Sequence, residues 1–126
     1  MAGASAGLHE PEDRLSVDTM DGHRAIISII EELEAVDWYR QRADAAVDPE
    51  LAAILTHNGD EEKEHAAMAL EWLRRRDPVL DRHLRTYLFT ADSIVAEESA
   101  AEAHGDARAL GSGALGIGSL RGETMA

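Results

Sequence analysis

Residues 49–76 read PELAAILTHNGDEEKEHAAMALEWLRRR, and the spacing of their apolar side chains decides the fold. Leu51, Ile54, Leu55, Ala66, Ala69, Leu70 and Leu73 recur at helical intervals, the pattern of an amphipathic helix. Pro49 suits a first helical turn, and Asp48 before it is biased away from the helical region. Arg74, Arg75 and Arg76 complement the negative end of the helix dipole, and Pro78 follows as a stop. One helix is therefore expected from about Pro49 to Arg76.

Upstream, Ile26, Ile29, Ile30, Leu33 and Val36 repeat the same period and place a second long helix over residues 19–42. Residues 1–18 lack an apolar face, carry Pro11, and read as a flexible leader. Downstream, Leu80, Leu84, Tyr87 and Leu88 give a narrower stripe and a short third helix over 79–90. Residues 91–113 are Ala, Gly, Ser and Glu with few large apolar groups, a composition that reads as flexible linker. Within the Gly-rich end, Ala114-Leu115-Gly116-Ile117-Gly118-Ser119-Leu120-Arg121 forms an apolar island that looks like a docking peptide, so residues 114–126 are set apart as a tail. The expected fold is all-α, two long antiparallel helices and a short one. A hairpin this small buries one face poorly. Two copies side by side would supply the four helices that enclose a bundle core.

Composition narrows the function. The chain has 126 residues, room for one domain, and 44% of them are apolar. With 25 acidic residues against 12 basic ones, its formal charge is −13, whereas a phosphate-binding surface needs clustered positive charge. Nucleic acid is excluded as an expected partner, and cations are favoured. There is no cysteine, so thiolate chemistry and cysteine-held metals drop out, leaving oxygen and imidazole as ligands. No apolar run approaches the ~18 residues of a membrane span, and no basic-then-apolar signal opens the chain. A cytoplasmic location without membrane contact is expected.

Polar residues interrupt both apolar rows. Glu32 has Ile29 three residues before it and Val36 and Tyr39 four and seven after it, so it projects along the stripe of the first helix. On the second, Glu62 and His65 are three apart within the row Leu55, Asn58, Glu62, His65, Ala69, Trp72. An ionised carboxylate buried without a partner costs several kcal/mol, so it is paired, protonated or bound to a cation. Di-metal carboxylate bundles use one Glu from each of two helices and Glu-x-x-His from each of the other two. Glu32, Glu62 and His65 are half of that set. A partner chain would complete four carboxylates and two imidazoles, enough for two irons ~3.5–4 Å apart. Carboxylates can bridge metals and stabilise the ferric state, while neutral imidazole adds a nitrogen ligand without charge. Tyr39, one helical repeat beyond Glu32, is placed to orient a ligand. Its alternative is an ordinary interface aromatic. Glu-x-x-His by itself is a weak signal in so acidic a chain, because Asp60-Glu61-Glu62-Lys63-Glu64-His65 also reads as a solvated face. By spacing alone, Glu31, Glu34, Glu61, Glu64 and His57 are surface groups, and Trp38 and Trp72 are packing anchors.

The stretches His23-Arg24-Ala25-Ile26, Glu31-Glu32-Leu33-Glu34-Ala35-Val36-Asp37-Trp38-Tyr39, Asp48-Pro49-Glu50-Leu51, Asp60-Glu61-Glu62-Lys63-Glu64-His65-Ala66-Ala67-Met68 and Leu84-Arg85-Thr86-Tyr87-Leu88-Phe89-Thr90 strongly resemble the encapsulated ferritins. The resemblance implies half-ferritin subunits over residues 19–90 that pair into a four-helix site and join into a ring, commonly a decamer. It implies ferroxidase activity, with Glu32, Glu62 and His65 as di-iron ligands and Tyr39 beside them. It implies a site where metal first enters at Glu31, Glu34 and Trp38, and an outer metal-attracting site at His57, Glu61 and Glu64. The segment 115–121 is similar to peptides that load cargo into encapsulin shells, which implies a nanocompartment in which iron mineral collects. Two other readings compete: a non-catalytic helical adaptor or shell-docking cargo, and a di-metal oxidase of organic substrates, for which the aromatic-poor core offers no pocket signal.

Overall fold

The computed structural model describes residues 6–115, with side chains described from residue 6 through residue 105. After a 3-10 turn at Glu12–Arg14, the chain forms α1 (Val17–Ala45), α2 (Pro49–Arg76), α3 (Pro78–Tyr87) and α4 (Ile94–Leu115). There are no strands among the described residues. The chain divides after Leu80 into two compact units, so the expected helical region 19–90 is cut within α3.

In the first unit, local chemistry sets the helix ends. Ser16 caps α1, its hydroxyl accepting from the Thr19 N–H at 3.0 Å, and α1 closes with the Ala46 N–H donating to the Arg42 carbonyl at 2.9 Å. Asp48 caps α2 by accepting from the Leu51 N–H at 2.9 Å, with Pro49 in the first turn. At the other end Asp77 breaks α2 and its Oδ1 accepts from the N–H groups of Val79 and Leu80, each at 3.0 Å, opening α3. The arginines at the α2 C-terminus lie where the dipole favours them.

Helices α1 and α2 pack against each other, yet the hairpin has almost no interior. Among the described residues only Gly59 and Ala66, both on α2, are buried. The apolar stripe is half-buried at Ile29, Ile30, Val36, Leu55 and Leu70. Elsewhere it is open, with Leu33 at 53%, Ile54 at 51% and Met68 at 65% exposure. Monomeric proteins rarely leave contiguous apolar surface of this kind uncovered.

The second unit departs from expectation. Residues 91–113 are not linker throughout: α4 runs Ile94–Leu115, opened by Ser93, whose carbonyl accepts from the Glu97 N–H at 3.0 Å. Ala and Glu are strong helix formers, and their summed propensity outweighs interior glycines that cost ~1 kcal/mol each. Glycine content, read as a sign of flexibility, misjudged this segment. Helix α3 ends at Tyr87, earlier than the expected residue 90, through Phe89, a non-glycine residue with φ of 62°. The Thr90 hydroxyl donates back to the Tyr87 carbonyl at 2.8 Å. The tail from residue 116 onward lies outside the described residues. No described helix is long and apolar enough to cross a membrane.

Candidate metal centre

Antiparallel packing carries Glu32 on α1 to the level of Glu62 and His65 on α2. Among the described residues these three form the one group of acidic and histidine side chains with metal-holding geometry, each offering a ligand atom within 4.8 Å of the others. His65 Nδ1 lies 3.5 Å from Glu32 Oε2 and 3.7 Å from Glu62 Oε1. Both distances exceed a good hydrogen bond. Glu32 Oε2 is buried with no hydrogen-bond partner, an orphan acceptor of the kind that a cation satisfies.

Glu62 feels the crowding. A hydrogen bond to the Glu32 carboxyl raises its pKa above the usual carboxylate range, burial and the Glu32 charge add to the rise, and His65 pulls the other way. Two carboxyls and an imidazole at one place are a donor set for a hard cation, whose charge would reverse the Glu62 shift. The residues present therefore fit a metal. The cluster is not closed: the side chains of Glu32 and Glu62 keep 26% and 24% of their exposure and that of His65 47%. An open groove of about 650 Å³, lined by Ser28, His65, Met68 and Trp72 among others, adjoins it.

The remaining candidates sit apart from this trio. Tyr39 lies two turns along α1 from Glu32, its Cβ against Gly59 and the Arg42 guanidinium 5.3 Å from its ring centre. Glu31 is exposed, Glu34 half-buried and Trp38 43% exposed, all on α1. His57 Nε2 pairs with Glu61 Oε1 at 3.2 Å on the outer surface of α2, and Glu64 is exposed one turn further. Gly59 was not singled out from sequence. The available signal was a glycine in the interior of a strong helix, three residues from Glu62 and seven from Ala66, the other buried position.

A helical hairpin that offers two carboxylates and an imidazole at one level carries the donor types that di-metal carboxylate bundles use. The profile of the EncFtn-like family matches residues 7–91. The chain is 58% identical to the encapsulated ferritin-like protein of Rhodospirillum rubrum, over 98% of this chain and 94% of that protein. It is 35% identical to the encapsulin nanocompartment cargo protein EncC of Myxococcus xanthus, over 62% and 60% of the two chains. A crystal structure of a Nitrosomonas europaea protein, 62% identical, superposes with a TM-score of 0.68 over 70% of this chain and 97% of that one. The chain belongs to the encapsulated ferritin-like family.

Proposed function

We propose that the protein is a ferroxidase whose substrate Fe(II) is bound and oxidised between two subunits. Each contributes Glu32, Glu62 and His65, and the paired hairpins make the four-helix bundle. The observation that carries this reading is the buried, unpartnered Glu32 Oε2 facing Glu62 and His65 across two helices. A second subunit would bring the same three groups to the open side of the cluster and cover the exposed apolar stripe. Four carboxylates balance two Fe(II) ions and favour the more highly charged product. Two Fe(II) give up one electron each, and dioxygen takes both with two protons to become hydrogen peroxide. Peroxide as oxidant takes two electrons and two protons to become two waters. Carboxylates from the two subunits would hold the two metals close enough to deliver the pair of electrons together.

Around this site, Glu31, Glu34 and Trp38 form the point where Fe(II) enters, and His57, Glu61 and Glu64 an outer attracting site, both drawing on the negative field of the chain. Tyr39 supports the ligand helix. The dimers assemble further into a ring, a decamer. Segment 115–121 docks the ring inside an encapsulin shell in the cytoplasm, where the oxidised iron mineralises. The names of the R. rubrum and M. xanthus relatives support that placement.

Aerobic Fe(II) oxidation, followed by absorbance and corrected for the protein-free rate, tests the reading. The expected result is a rate well above background that Glu32→Ala abolishes. No rate above background would leave a non-catalytic helical cargo whose carboxylates hold its interface. Deleting residues 115–126 is expected to leave oxidation intact and end co-purification with a shell, and continued loading would remove the docking role.

A further inference from the structure

Gly59 and Ala66 are the two buried residues of the hairpin, seven positions apart on α2, and they bracket Glu62 and His65. A Cβ added at Gly59 would meet Tyr39 Cβ at 3.2 Å and Tyr39 Cγ at 4.0 Å. Comfortable carbon contacts begin near 3.5 Å. Tyr39 Cβ is bonded directly to the α1 backbone, so no rotamer change moves it. Room would come from α1 and α2 parting by a few tenths of an ångström.

The contact lies one turn along α2 from Glu62 and two turns along α1 from Glu32, about 4.5 and 10.5 Å of helix rise. Over so short a span two packed helices behave as rigid rods, and a gap opened at Tyr39 extends to the level of Glu32. Metal ligands tolerate little of this, since workable sites hold distances to ~0.2 Å. Glu32 is the one member of the cluster on α1, and its orphan Oε2 depends on reaching the α2 pair.

We infer that Gly59 is a positioning residue for the metal ligands: its missing Cβ sets the α1–α2 separation at which Glu32 reaches Glu62 and His65. The inference rests on the proposed ligand set. Gly22 on α1 provides the internal contrast, because a Cβ there meets nothing within 4 Å.

The test uses the full chain, Co(II) as a redox-silent probe read by its visible absorption, thermal melting, and oxidation rates against Fe(II) concentration. Gly59→Ala is expected to stay folded and assembled but to show an altered Co(II) spectrum and a half-saturating Co(II) concentration raised about 10-fold, the lower end for groups that orient ligands. Its half-saturating Fe(II) should rise more than its maximal rate falls. Gly22→Ala should raise the melting temperature and leave the spectrum unchanged. A Gly59→Ala spectrum and half-saturation equal to those of the unaltered protein would overturn the inference. Glu32→Ala in the same titration separates the two claims. If it loses the Co(II) signal while Gly59→Ala keeps it, only the positioning role fails; if it too is unchanged, the ligand set fails. Should Gly59→Ala not fold, it is compared in a Tyr39→Gly background, where the clash is gone. Spectra matching Tyr39→Gly alone support the inference. A further change, or failure of the double variant to fold, overturns it.

Discussion

The α1–α2 hairpin adds to its local ion pairs a charged cluster that spans two helices, whereas the ion pair described in α3 lies within one helix. In the α1–α2 hairpin, a carboxylate on one helix meets a carboxylate and an imidazole on the other, with His65 Nδ1 3.5 Å from Glu32 Oε2. In α3, the described ion pair stays within one helix, Arg85 Nε reaching Asp81 Oδ1 at 3.0 Å over four residues. Pairs of the second kind are local, exposed and worth a few tenths of a kcal/mol. Convergence of the first kind depends on two segments being packed, leaves an acceptor unpaired, and gains its return only from a ligand. The contrast separates charge that stabilises a helix from charge brought together across two helices.

The largest expected effect tests that separation directly. His65→Ala should lower the Fe(II) oxidation rate by at least about 100-fold, since even groups that only orient a ligand cost ~10–100-fold. His104→Ala, in the second unit, should leave the rate unchanged. Equal effects of the two in the same absorbance assay would erase the distinction between the units.

Leu33→Asp comes next. It sets a charge on the open apolar stripe beside Glu32, and burying it in a subunit interface would cost several kcal/mol. Analytical ultracentrifugation should show a shift toward single subunits, with oxidation lost alongside. An unchanged mass would mean that the stripe is covered by something other than a second copy.

In the second unit, Phe89→Gly should stabilise by about 1 kcal/mol, because a Cβ in the left-handed region carries a penalty of that order. Phe89 is fully exposed, so little packing is lost in a single chain. Hydrogen exchange of α3 and α4 would register the gain. A loss instead would show that its ring is buried against a partner subunit.

The smallest effect concerns Glu71, which Arg74 and then Arg75 hold down to about 2 through contacts of 2.7–2.8 Å. Its folded pKa lies below the ordinary 4.5. The stabilisation is therefore present above pH 4.5 and is lost as pH falls toward 2. Glu71→Gln should lower the melting temperature slightly near neutrality, leave it unchanged near pH 2, and so flatten its pH dependence across that window. This carboxylate is a local pair of the same kind as in α3, and an effect on oxidation would contradict that assignment.

Much of the hairpin was legible because its signals are local. Asp48-Pro49 and Asp77-Pro78 delimit α2 at the residues where it begins and ends. Helix α1 extends beyond the expected 19–42 at both ends, to Val17–Ala45, because its Ser16 cap lies outside the apolar repeat used to find it. Helix α4 went unread for the complementary reason: it has helix propensity without a wide apolar stripe. Among the candidate residues, the period of the apolar rows selected Glu32, Glu62 and His65, and these converge. The same period placed Tyr39 in the row of Glu32 but could not show that its neighbour is Gly59.

The amino-acid sequence by itself determined α1, α2 and α3, the prolines that delimit α2, the acidic balance and the polar interruptions of otherwise apolar rows. These follow from interactions between residues a few positions apart. Only the tertiary structure decided that the interruptions on α1 and α2 fall at one level, that Glu32 Oε2 is left without a partner, and that Gly59 lies against Tyr39. Those outcomes depend on the separation of two helices, fixed to tenths of an ångström by packing between distant segments, which no local pattern encodes.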